Sequence, residues 1–203
     1  MHGGADHENT TAIITICADG TTLHPTIVRK GWGFKDAWFG TMFWNAHKSW
    51  CARILGKHLQ LYDSICHSPK GWTDGDVTLS WMIKIFDEQT CDKAHGETCV
   101  LILDRHSLHY MPELLEYAQD HDIIIFGYPP HCTHALQGLD VVCLMRMKET
   151  WKKVIIEFEA LHWAKVTKAD FTGLFGKAYQ IMFTKETVEV AFCATGVYPF
   201  DHQ

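Results

Sequence analysis

Val100-Leu101-Ile102-Leu103 is a short apolar run that ends on Asp104, and thirty-five residues separate that carboxylate from Asp140, which opens a long amphipathic stretch. Between them, Pro112 suits the first turn of a helix running to about Asp120. Ile123-Ile124-Ile125-Phe126 is a second apolar run. Strand, helix, strand in that order implies a parallel pair with a right-handed crossover. Unbroken apolar runs of this kind predict strands buried on both faces. A carboxylate at the C-terminal end of such a strand, and another at a helix start, is how a fold gathers two metal ligands from distant sequence. The pattern points to metal-assisted phosphodiester chemistry.

Upstream, Thr11 to Cys17 and Leu23 to Arg29 flank Ala18-Asp19-Gly20. Asp-Gly between two β-prone runs predicts a hairpin, and Pro25 in the second arm predicts that this arm is a sheet edge. Residues 31 to 70 show no sustained period and read as loop with some helix. Trp32, Trp38, Trp44 and Trp50 recur every six residues there, a spacing that fits neither helix nor strand. Thr73 and Asp76 form a capping-box-like start, and Val77, Trp81 and Ile85 follow at four-residue spacing, so a helix is expected over about 74–88. From Asp140 a helix carries Leu144, Met147, Trp151, Val154, Ile155, Phe158 and Leu161 at helical spacing. Another follows Thr167, with Phe171, Leu174, Phe175, Ala178 and Met182 inward. A last short one starts after Thr184 and stops at Gly196, with Pro199 beyond.

A length of 203 residues, 47% apolar and 21% charged, fits a single globular domain able to bury a core. No apolar run is long enough to span a bilayer, so no membrane partner is expected. Met1 to Asn9 hold no apolar signal core. The eight cysteines are scattered with no C-x-x-C pair, which reads as reduced intracellular thiols. A net charge of −6 is the wrong sign for a dedicated nucleic-acid binder, so any grip on DNA must be local. Arg146, Lys148, Lys152 and Lys153 form the densest basic cluster, for which a solvated helix face is the plain reading.

Several motifs together carry a resemblance. Leu103-Asp104-Arg105-His106-Ser107-Leu108-His109 resembles the D-G-H-x-S-H segment of the DDE superfamily endonuclease domain of pogo- and Tigger-like transposases. Tyr128-Pro-Pro-His-Cys-Thr-His134 and Leu136-Gln137-Gly138-Leu139-Asp140 resemble that family's P-P-H-T-T-H-L-L-Q-P-L-D. Cys17-Ala-Asp-Gly20, Lys30-Gly31, Gly71-Trp-Thr-Asp74 and Ala194-Thr-Gly-Val-Tyr-Pro-Phe200 match its other landmarks. The resemblance covers residues 10 to 30 and 64 to 200, while 32 to 63 do not resemble the family. It implies an α/β, RNase H-like mixed sheet flanked by helices, in one domain without an N-terminal helix-turn-helix.

By the resemblance, Asp104 is the second acid of a triad and Asp140 the third, holding magnesium or manganese. The implied chemistry is cleavage and joining of DNA in the nucleus. Oxygen ligands suit such hard ions. His106, His109, His131 and His134 would line the rim of the site. With Cys132 they also offer an H-x-x-H and H-C-x-H set for zinc, but the family pattern favours the rim. The family's first acid lies on a strand upstream of the hairpin. Here Asp6 has no apolar run to position it, and Asp19 belongs to the turn. The expectation is therefore a fold whose first, central strand is missing, keeping two of three acids and inactive by itself. A homo-oligomer or second chain would supply the missing acid. The other expectation is a non-catalytic DNA- or protein-binding module. Arg105, where the family has Gly, would crowd the metal pocket.

Overall fold

The computed structural model describes residues 10–30, 64–104 and 110–201. They form a mixed α/β arrangement that falls into two compact units. One is built from 10–14, 24–30, 64–100 and 110–124, and the other from 15–23, 101–104 and 125–201. Expectations for Asp6, for Trp32, Trp38, Trp44 and Trp50, and for Arg105, His106 and His109 fall outside the described residues.

In the first unit, β1 (Thr10–Ile13) and β2 (Thr26–Lys30) pair antiparallel, with Thr10 opposite Arg29 and Ile13 opposite Thr26. The Asp-Gly turn forms as expected: Gly20 adopts a φ of 84°, and the Asp19 carboxylate accepts from the Thr21 N–H at 2.9 Å and its hydroxyl at 2.6 Å. Asp19 is thereby a turn residue. The second arm is not an edge. β3 (Ser64–Ser68) lies parallel along its other side, from Thr26 opposite Ser64 to Lys30 opposite Ser68, so β2 is the middle strand. Pro25 escapes the conflict because it stands just before the strand, so its missing N–H falls outside the paired residues. β3 also corrects the loop reading of 64–68.

Asp74, not Thr73, caps α1 (Gly75–Trp81), accepting from the Val77 N–H at 2.9 Å. The helix continues through a π-helical turn, π1 (Met82–Asp87), into α2 (Glu88–Ala94), and ends on His95 in the left-handed region. Val77, Trp81 and Ile85 are buried as their spacing predicts, together with Met82 and Phe86. β4 (Cys99–Leu103), α3 (Pro112–Asp120) and β5 (Ile123–Gly127) match the strand–helix–strand reading closely. The Tyr117 hydroxyl donates to Asp87 at 2.7 Å and ties α3 to π1.

The Cys99 N–H donates to the Asp122 carbonyl at 2.9 Å, and the Tyr128 N–H to the Leu103 carbonyl at 3.0 Å. Both ends of β4 and β5 thus advance together, which makes the pair parallel. Burial on both faces does not hold: Val100 is 53% exposed, Ile124 47% and Phe126 56%. Leu101 and Ile123 alone in the pair are buried. The two strands form their own sheet, and among the described residues the hairpin does not pair with β4.

The second unit holds α4 (Thr133–Leu136), the π-helical turn π2 (Leu139–Leu144), α5 (Met145–His162), α6 (Lys168–Met182) and α7 (Lys185–Ala194). A capping box between Thr167 and Asp170 starts α6. Leu174, Phe175, Ala178 and Met182 are buried as expected, and Trp151 of α5 meets Phe171 edge to face at 5.4 Å. Leu161 is not inward; it is 76% exposed in the last turn of α5, just before the chain leaves the helix at Trp163. The Tyr179 hydroxyl donates to the Leu23 carbonyl at 3.3 Å and joins α6 to the hairpin tip. α7 lies against π2 so closely that a Cβ on Gly138 would run into the carbonyl of Ala191.

Three outcomes follow from this packing. Gly138→Ala lowers stability by about 1–3 kcal/mol in urea unfolding, because backbone must move to admit the methyl group. Gly173→Ala, in a helix with nothing within 4 Å of the added carbon, raises it by about 0.5–1 kcal/mol. The third outcome concerns alkali. Burial pushes the Tyr179 phenol up to about 12, so the folded state favours the neutral phenol. Its contribution is complete below the unfolded value of about 10 and is lost as pH rises towards the folded value. Tyr179→Phe therefore makes the fall in melting temperature above pH of about 10 shallower than in the parent chain.

Candidate active site

Asp104 is the first residue beyond β4 and is partly buried. The backbone bond from Tyr128 to Leu103 makes β4 and β5 end side by side, so the chain leaving β5 starts from the same sheet edge as Asp104. That chain makes a tight turn, with the Cys132 N–H donating to the Pro129 carbonyl at 3.2 Å. Pro130 suits the second position of the turn and His131 takes the third with a φ of 62°. A positive φ is uncommon for a side-chain-bearing residue, although histidine is among the enriched types. Cys132 then starts α4, and Gln137 hands the chain to π2 by accepting from Asp140 at 2.9 Å and Val141 at 3.0 Å. His131 and His134 are exposed on this segment.

Asp140 is the second residue of π2 and is exposed. Met147 and Val154, which follow it at seven-residue spacing, are buried on α5. In an unbroken α-helix, residues seven apart drift by only about 20°, so Asp140 would align with that buried stripe. A π turn holds one extra residue, and that residue turns Asp140 by roughly 100° relative to α5. The acid reaches solvent while Cys143 stays buried beneath it. Burial pushes the Cys143 thiol up to about 11, with Arg146 opposing, so this neighbour of Asp140 stays a neutral thiol at physiological pH. Burial first, and then the charge of Asp140, hold the Tyr128 phenol above the ordinary tyrosine range. Tyr128 is thus bonded through its backbone to Leu103, the residue before Asp104, and its ring is close enough to Asp140 to feel its charge.

Asp104 and Asp140 thus belong to the same compact unit. His131 and His134 lie on the segment between Tyr128 and π2. Among the described residues, no three His, Cys, Asp or Glu side chains stand together as a ready metal cage. Two carboxylates nevertheless suit a hard divalent ion, because magnesium is commonly held by one or two carboxylates and keeps several waters. Sequence reading missed the contacts of Tyr128 with Leu103 and Asp140, the approach of Ala191 to Gly138, and π2. One signal for π2 was available: a carboxylate in heptad line with Met147 and Val154 requires either a buried charge or a shift of helical phase.

The chain matches the family model described as DDE superfamily endonuclease over residues 7–192. A curated protein of Cochliobolus lunatus named "MFS-type transporter clz9" is 27% identical over 194 residues, covering 96% of this chain and 19% of that protein. The chain therefore spans about a fifth of that relative. No helix among the described residues is long and apolar enough to cross a membrane. No solved structure matches. The family model covers most of the chain, including both acids and the segment between them, and the chain belongs to the DDE superfamily endonucleases.

Proposed function

We propose that the chain is a transposase-derived, DNA-handling domain of RNase H-like descent, in which Asp104 and Asp140 hold a divalent metal ion. The observation that carries this reading is the position of Tyr128 at the end of the β4–β5 pair, bonded to Leu103, the residue before Asp104, and raised in pKa by burial and then by the charge of Asp140. The parallel β4–α3–β5 unit with an acid directly after its first strand supports the RNase H-like descent. Family membership supports DNA as substrate and divalent ions as cofactors, since DDE superfamily endonucleases generally use such metals. Magnesium or manganese fits the oxygen-only donor set. Bound there, the ion would supply Lewis-acid polarisation of the scissile phosphate.

The chain's own residues would do the rest. Asp140 presents its carboxylate to solvent because π2 turns it outward. Asp104 is fixed by the end of β4. The neutral phenol of Tyr128 stands beside Asp140 without adding charge. The exposed rings of His131 and His134 form a rim that can donate to phosphate oxygens. Among the described residues no third acid joins the pair. The reading is accordingly a metal- and DNA-binding site that needs a third acid, from a second copy, another chain or further polypeptide, to cut efficiently. The same reading places the domain in the nucleus.

The test is a thermal melt with and without manganese, beside a plasmid-nicking assay. The parent melt rises by several degrees with manganese in excess, as binding to the folded state requires. Asp104→Ala and Asp140→Ala abolish the rise without lowering the metal-free melt. Nicking by the parent alone stays at background. Manganese-dependent nicking that disappears in both variants would replace the incomplete site with a working one. A melt indifferent to manganese would leave a non-catalytic binding module.

A further inference from the structure

Arg146, Lys148, Lys152 and Lys153 all lie in the first half of α5, and all four are exposed. Among the described residues none of them has an ion-pair partner, in contrast to three cations further along this unit. Lys165 pairs with Glu159 at 2.7 Å, Lys177 with Glu157 at 2.8 Å, and Lys185 with Glu189 at 3.7 Å. Two of the acids on the second half of α5 are thus already matched. Within 146–153 only Glu149 opposes the four cations. A chain of net charge −6 therefore carries a local positive strip.

The strip is continuous with the candidate active site, since α5 follows directly from the turn that holds Asp140. At about 1.5 Å of rise per residue, the cations lie roughly 9–20 Å along the helix from that acid. The strip is about 10 Å long, roughly three base-pair steps. At about 100° per residue, Arg146 and Lys153 share one flank of the helix, and Lys148 and Lys152 share the other. Between the flanks run Met145, Glu149 and Ile156, all exposed. Cations on both sides of a weakly charged crest suit a helix set against a duplex groove, with one flank towards each backbone.

We propose that the outer face of the first half of α5 binds the phosphate backbones of duplex DNA and leads the strand to the Asp104–Asp140 site. The proposal rests on the reading that this family member handles DNA. An acidic protein partner would need the same charges but would not need them on two flanks of a helix that leads from a phosphodiester-processing site.

The experiment measures binding of the whole chain to a short mixed-sequence duplex by fluorescence anisotropy, in chelator and without metal, across about 25–200 mM salt. The parent gives a slope of log affinity against log salt of about −3 to −4, the value for roughly four neutralised phosphates. R146Q/K153Q and K148Q/K152Q each reduce the slope by about 2 units and weaken binding at low salt on every duplex sequence. K165Q/K185Q, which removes two paired cations, leaves slope and affinity unchanged. Parent-like slopes in both α5 variants would overturn the proposal, as would a parent chain that binds polyglutamate and not DNA. A change confined to one pair would overturn the two-flank arrangement. Metal is absent, so DNA binding through α5 alongside a melt indifferent to manganese separates failure of the metal site from failure of this surface.

Discussion

The carbonyl of Ala191 occupies the space that a side chain at position 138 would need. That contact fixes α7 against the start of π2, and π2 in turn decides where Asp140 points. Everything proposed for the site lies downstream of it: the phase of α5, the burial of Cys143, and the exposure of the acid. The residue at 138 is Gly where the resembled family pattern has Pro. Its backbone is ordinary right-handed helix, so its small size matters here and its conformational freedom does not.

Much of the chain could be read from local chemistry. The Asp-Gly turn, the Thr167–Asp170 capping box and Thr184 before α7 each satisfy backbone groups within a few residues, and Pro112 at a helix start removes a donor that would have no helical partner. Such signals survive folding because they do not depend on distant partners. The misreadings were tertiary. β3 contains little that is β-prone beyond Ile65 and Cys66, and it is a strand because β2 offers it a parallel ladder. Pro25 looked like an edge marker, yet it sits one residue before the ladder begins. The runs 100–103 and 123–126 implied covered faces, but an apolar side chain does not by itself bring a covering layer.

The two acids were legible as candidates from their places at a strand end and a helix start. Their mutual arrangement was not. Tyr128 was visible only as a motif residue, although its backbone bonds to Leu103 next to Asp104 and its ring feels the charge of Asp140. The basic cluster was equally visible as letters. What the sequence withheld was which cations are matched by acids, and the structure separates the matched ones around Glu157, Glu159 and Glu189 from the unmatched ones beside Asp140. Exposed pairs of this kind add little stability. Their interest is that they remove charge from one part of the surface and leave it concentrated in another.

The extra residue in π2 bears on how copies of such a domain are sorted into intact and decayed. One criterion is whether each acidic letter survives. Here the same letter faces solvent or the core according to how many residues separate it from Met147. A copy could keep both aspartates and lose its site through a one-codon change of length, which an inventory of acids would pass as intact. Spacing from the carboxylate to the buried stripe is therefore a separate criterion of integrity, to be read alongside residue identity.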